Sequence, residues 1–240
     1  IMQEVLEHGS APQRSSVARH LYRLSWYTAE PLLRRSLGDP DRRVRESTVY
    51  GLCLLRSPEA HHLLLEALAQ DDEWMRAAAA WGLSRGPDAA CVPALEMVLQ
   101  ARDSETRVKA LEALGNSQVH SAIPVVRRSL EDPDLEVKYA AGLSWIELSK
   151  ETCLAEFAGL IENSPSSARL YLIRALFHAT NYLFIDIGRS TAAETMLEAL
   201  HTALCDPQPE VRIAAAMPLA WMHHERATAI LVDAYTKEQN

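Results

Sequence analysis

Apolar residues recur along the chain at helical spacing, in short runs that share one longer period. After Asp39-Pro40, the residues Val44, Thr48, Gly51, Leu52 and Leu55 fall at i, i+4, i+7, i+8 and i+11, a single stripe on one face of a helix. The same stripe returns as Val137, Ala141, Ser144, Trp145 and Leu148. Each such helix is preceded by another with its own apolar face, as in Leu64, Leu65 and Leu68 or Ile123, Val126 and Leu130. The pattern predicts helix pairs. The first helix of a pair ends at an Asp-Pro turn, where proline blocks its continuation. The second starts there, with Asp as N-cap and Pro at the first helical position, where its missing N–H would have had no partner.

The phrase Asp39-Pro40-Asp41-Arg42-Arg43-Val44-Arg45 is echoed at Asp132-Pro133-Asp134-Leu135-Glu136-Val137-Lys138 and at Asp206-Pro207-Gln208-Pro209-Glu210-Val211-Arg212. Its closing basic residue recurs at Arg14, Arg45, Arg76, Arg107, Lys138 and Arg169 in steps of 31, then at Arg212 after a step of 43. Two apolar columns keep this register: Leu6, Leu37, Leu68, Leu99, Leu130, Ile161 and Leu204, and Leu21, Leu52, Leu83, Leu114, Trp145, Leu176 and Leu219. Small residues (Gly51, Gly82, Ala113, Ser144, Ala175) mark a point where helices approach closely. One helix pair cannot bury its stripe alone, so successive pairs stack. The expectation is an all-α, right-handed α-solenoid of about seven helix pairs, a single repeat domain over residues 1–240.

The long step inserts 12 residues near 181–192, around Asn181-Tyr182-Leu183-Phe184-Ile185-Asp186-Ile187-Gly188-Arg189. Their apolar content argues against a floppy loop; a longer helix packed on its neighbour is expected, with a functional elbow or docking segment as the alternative. The chain opens at Ile1 with the end of a first-type helix and closes with a lone one near Glu225 to Tyr235, as expected of a piece of a longer protein or of ends covered by something else.

The Asp-Pro-x-x-x-Val-Arg turn, the Ala-rich second helix (Arg76 to Leu83, Val211 to Ala216) and the short period resemble HEAT-like repeats of the type named after phycobilin lyases. The resemblance covers nearly the whole chain and implies the α-solenoid fold. The family it implies holds scaffolds, inhibitors, lyase subunits and a few enzymes, so it implies no single activity. In such repeats the Asp and Arg of the turn tie neighbouring turns together, the role expected of Asp39, Asp132 and Asp206 and of the arginine column.

Composition narrows the functional classes. The 240 residues are 48% hydrophobic and 23% charged with only 9 Gly, and no run approaches the roughly 18 apolar residues of a membrane span. A cytoplasmic location is expected. A net charge of −8 makes nucleic acid a poor partner. Cys53, Cys91, Cys153 and Cys205 form no CxxC pair, and Cys91 and Cys153 share a column with Ala29, Ala60 and Ala122, as small core residues would. The adjacent pairs His61-His62 and His223-His224 point about 100° apart on a helix, and no HExxH motif is present, so no metal is expected. Deoxyhypusine hydroxylase, an enzyme of this repeat class, binds iron through His-Glu pairs just after the basic column. Here those positions hold Glu46-Ser47, Ala77-Ala78, Val108-Lys109, Tyr139-Ala140 and Leu170-Tyr171. No phosphate loop or GxSxG elbow appears, and no cofactor or catalytic residue is assigned.

What remains is the face that the apolar stripe leaves free. Offsets −1, +2, +6 and +10 from Val44 and its equivalents point away from the core, and in HEAT-like arrays that face lines the concave groove. Its candidate partner-binding residues are Arg43 and Tyr50 in one repeat and Trp74, Trp81 and Arg85 in the next. Tyr139, Arg174, His178 and Trp221 follow in later repeats. Aromatic and Arg side chains on an outward face form binding hot spots. The leading expectation is a non-catalytic module that holds a protein or peptide partner. A lyase or lyase subunit resembling the phycobilin lyases, or an architectural spacer, are the alternatives.

Overall fold

The computed structural model describes residues 1–55, 57–68, 73–83, 91–183 and 185–238, except the side chains of Glu73, Trp74, Ala77, Trp81, Ala94, Lys237 and Glu238. The described residues contain helices and turns and no strand. The chain folds as two compact units, Ile1–Val119 and His120–Asn240.

In the first unit the helix pairs are α1 (Met2–His8) with α2 (Ala11–His20), α3 (Trp26–Leu37) with α4 (Arg42–Leu55), α5 (Pro58–Leu68) with α6 (Glu73–Leu83), and α7 (Cys91–Val98) with α8 (Ser104–Asn116). The second helices pack in succession, α2 on α4, α4 on α6 and α6 on α8, while first helices meet as α1 with α3 and α5 with α7. The second unit repeats the arrangement. It pairs α9 (Ile123–Arg128) with α10 (Leu135–Ser149), α11 (Leu154–Asn163) with α12 (Ser166–Tyr182), and α13 (Ala193–Leu204) with α14 (Pro209–Trp221), followed by α15 (Glu225–Glu238). Here α10, α12 and α14 form the layer of second helices, and α11, α13 and α15 lie behind. This two-layer stacking of helix pairs is an α-solenoid.

The core is the column that the spacing identifies. Leu21, Leu52, Leu83, Leu114, Trp145, Leu176 and Leu219 are each 2% exposed or less. Sealing one such side chain contributes about 1.5–3 kcal/mol. Helix spacing is set by the small column: a Cβ on Gly51 would stand 3.2 Å from the Ala18 carbonyl of α2, and one on Gly82 would stand 2.8 Å from Cys53 Sγ.

The turns depart from the expected cap. The first Asp of each phrase does not cap the helix. Its side chain folds the turn back, with Asp41 N–H donating to Asp39, Asp134 N–H to Asp132 and Gln208 N–H to Asp206, all at 2.9 Å. The second Asp is the N-cap: Asp134 accepts from the Glu136 and Val137 amides, and Asp103 from those of Glu105 and Thr106. Two residues of turn are needed before the backbone reaches helical geometry, so Pro40, Pro133 and Pro207 lie in the turn, and Pro209 is the proline at a helix start.

The first Asp is thereby free to hold the preceding repeat. Arg14 grips Asp39 through two bonds of 2.7 and 2.8 Å, and Arg45 donates to the Asp39 and Pro40 carbonyls. Arg169 donates to Asp206 at 2.6 Å and to the Ile161, Glu162 and Ser164 carbonyls, while Arg212 takes the Asp206 and Pro207 carbonyls. Arg169 thus quenches carbonyls at the end of α11, which would otherwise lack partners, Arg45 and Arg212 quench those of their own turns, and the Arg14–Asp39 and Arg169–Asp206 pairs tie turn to turn.

The 12 extra residues lengthen α12 only to Tyr182. Residues 185–189 form a strap outside α-helical geometry, in which Ile185 and Ile187 are buried and Ile187–Arg189 makes one 3₁₀ turn. Phe184 lies outside the described residues.

Candidate functional site

The candidate residues fall into two groups, one on each unit. In the first unit Arg43 and Tyr50 stand on α4, both exposed. The Arg19 guanidinium of α2 covers the Tyr50 ring at 5.2 Å, and the two helices border a cavity of about 570 Å³ lined by Ser15, Arg19, Arg43, Glu46, Ser47 and Tyr50. Trp74 and Trp81 belong to α6, but their side chains, and all of Arg85, lie outside the described residues.

The second unit brings its residues together more closely. Tyr139 on α10 shares a 2.8 Å hydrogen bond with His178 Nδ1 on α12, one repeat away. His178 in turn lies against Tyr182, with ring centroids 4.5 Å apart. The Arg174 guanidinium sits over two rings at once, Tyr171 at 5.4 Å and Tyr139 at 5.9 Å. Cation–π contacts of this kind contribute about 0.5–2 kcal/mol each, and here they fix a long side chain in one place.

These groups border a groove of about 500 Å³. Leu170, Phe177, Ile213 and Met217 supply its apolar wall, and Glu210 stands on its α14 side. Trp221, 64% exposed, meets the Phe177 ring edge-on at 6.5 Å. It borders an adjoining cavity of about 260 Å³ together with Asn181, Ile185 and Ile187 of the strap. Asn181 lines both cavities, so the two adjoin at the end of α12. Along α14 the exposed apolar residues Ile213, Met217 and Trp221 form an unbroken row.

Tyr182, Phe177 and Tyr171 complete the site without having been singled out from sequence. Tyr182 was recoverable: it stands four residues after His178 on the same stripe, beyond the last offset of the ordinary repeat. Tyr171 and Phe177 carry no positional signal, because they flank the stripe and act by stacking on its members.

Of the four cysteines, Cys205 is exposed and the other three are not. Cys53, Cys91 and Cys153 are buried, and burial pushes the Cys153 thiol up to about 12, far from a thiolate at neutral pH. Among the described residues no group of three or more His, Cys, Asp or Glu side chains stands ready to hold a metal. None of their helices is long and apolar enough to cross a membrane.

A family model described as HEAT repeats matches residues 1–84, 62–146 and 157–240. The chain belongs to the HEAT-repeat family. A chain of the solved complex of CpcE and CpcF of phycocyanin lyase from Nostoc superposes with a TM-score of 0.53 at 23% identity, covering 88% of this chain and 90% of that one. The Escherichia coli protein YibA superposes with a TM-score of 0.55 at 17% identity, covering 93% and 80%. At these identities the likeness is one of fold. No curated protein matches the chain.

Proposed function

We propose that the chain is a binding module that holds an extended polypeptide segment across α10, α12 and α14. The observation that carries this reading is the convergence of Tyr139, Arg174 and His178, from two consecutive second helices, on one groove continued by Ile213, Met217 and Trp221 of a third. Rings, a fixed guanidinium and an exposed apolar row are what polypeptide side chains and backbone bind best.

A random peptide library displayed against the immobilised chain tests it. Enriched peptides are expected to lose about 30-fold in affinity, some 2 kcal/mol, against Trp221→Ala or Tyr139→Ala, with the helical circular-dichroism signal unchanged. Enriched peptides that bind both variants as well as wild type would contradict the proposal. The likeness to a phycocyanin lyase complex motivates one control, incubation with a bilin. A summed, unshifted absorption spectrum supports the binding module, and a shifted band that the same variants abolish would favour a lyase-type role.

A further inference from the structure

In the unit His120–Asn240 the arginines Arg127, Arg169, Arg189 and Arg226 each face a carboxylate, namely Glu156, Asp206, Asp186 and Glu194. Arg174 does not. Among the described residues it makes no ion pair and no hydrogen bond, and its only contacts of note are the faces of Tyr139 and Tyr171. Its N–H groups therefore meet no protein acceptor among the described residues, and the planar fork they form matches a carboxylate in a bidentate pair. The tyrosines hold the fork in place before any ligand arrives. Tyr139 is itself anchored by His178, so less side-chain freedom remains to be lost on binding.

The surroundings choose among anions. Glu210 lines the same groove without pairing to Arg174, and the chain as a whole carries a net charge of −8. A phosphate dianion or a polyanion would meet that field with a single guanidinium to offset it. One carboxylate matches one guanidinium. Leu170, Phe177, Ile213 and Met217 beside it call for an apolar side chain close to the acid.

We infer that Arg174 is a carboxylate receptor, and that the polypeptide held in the groove presents an Asp or Glu side chain next to a bulky apolar residue. The inference rests on the peptide-binding reading of the same groove, and its test separates the two. A display library is built with one central position restricted to Asp, Asn, Lys and Leu in equal shares and with flanking positions randomised over Phe, Trp, Leu, Met, Ala and Ser. Selection on wild type is expected to enrich Asp over Asn by about tenfold or more, the usual gain for a hydrogen bond to a charged group. Selection on Arg174→Gln is expected to remove that preference, and on Arg174→Lys to leave it weakened, because a point charge lacks the planar fork. Equal enrichment of Asp and Asn on wild type, with binding still lost in Trp221→Ala, would overturn the inference while the groove stands. Absence of any enriched peptide would overturn both.

Discussion

Asp206 shows how one residue can serve three masters. It is 3% exposed, folds the turn through the Gln208 amide, and accepts from Arg169 and from Ser166 of the preceding repeat. Burial alone would raise its carboxyl, but the Gln208 amide, the Ser166 hydroxyl and Arg169 together hold it below the ordinary value. Asp39 is likewise held low, chiefly by its bonds from Arg14. Both carboxyls therefore stabilise the fold as anions. Their contribution is complete above the unfolded carboxylate range, near pH 4, and is lost as pH falls below it through the depressed folded values. Asp206→Asn leaves Arg169 and the turn without their charge, and is expected to cost about 3 kcal/mol at pH 7. Thermal melts from pH 6 down to pH 3 should show the gap between wild type and Asp206→Asn closing as the acid limit is approached. A gap constant with pH would mean that the carboxylate is not the origin of the effect. The triple role of Asp206 was only partly legible in sequence. Recurrence of the Asp-Pro phrase located the residue, but a side chain that folds its own turn and one that caps the next helix look alike in a string of letters.

At the scale of elements, the strap after α12 and the small column set the geometry. Ile187 is 2% exposed, and a Cβ on Gly188 would come within 3.3 Å of the His223 backbone, so the strap is pressed onto the end of α14 beside Trp221. Ile187→Ala should lower stability by about 2–4 kcal/mol, the usual cost of an emptied core site, measurable by urea unfolding. Gly82 faces Cys53 and Leu64, whose nearest atoms would lie 2.8 and 3.0 Å from an added Cβ. Gly82→Ala is expected to cost about 1–3 kcal/mol by overpacking. Adding Cys53→Ala, which removes the nearest atom, should recover part of that loss, and strictly additive penalties in the double variant would show that the two sites do not touch. The spacing showed that these positions must be small and that the insertion must be apolar. It could not show that the insertion leaves helical geometry after Tyr182, because buried isoleucines fit a helix and an irregular strap equally well.

Across the whole molecule, the register of 31 was readable because it repeats, and each copy checks the others. The sealed Leu52 column and the outward face both follow from it. Where the outward residues meet was not readable, since periodicity gives a direction for each side chain and no distance between side chains on different helices. That is why Arg174, Tyr139 and His178 could be named as separate candidates, while their stacking and hydrogen bond emerged only in three dimensions. The groove, then, is a property of three successive repeats and of no single one.

Side-chain footprinting by hydroxyl radicals, with and without a saturating library-selected peptide, tests this surface most directly. Met217, Tyr182 and Trp221 stand on the groove side and are 42%, 70% and 64% exposed, while Tyr27 and Met97 on first helices are 92% and 74% exposed. Peptide is expected to protect the first three and leave Tyr27 and Met97 oxidising at their free rate. Protection of Tyr27 or Met97 with Trp221 and Met217 unchanged would place the binding face on the other layer and contradict the reading.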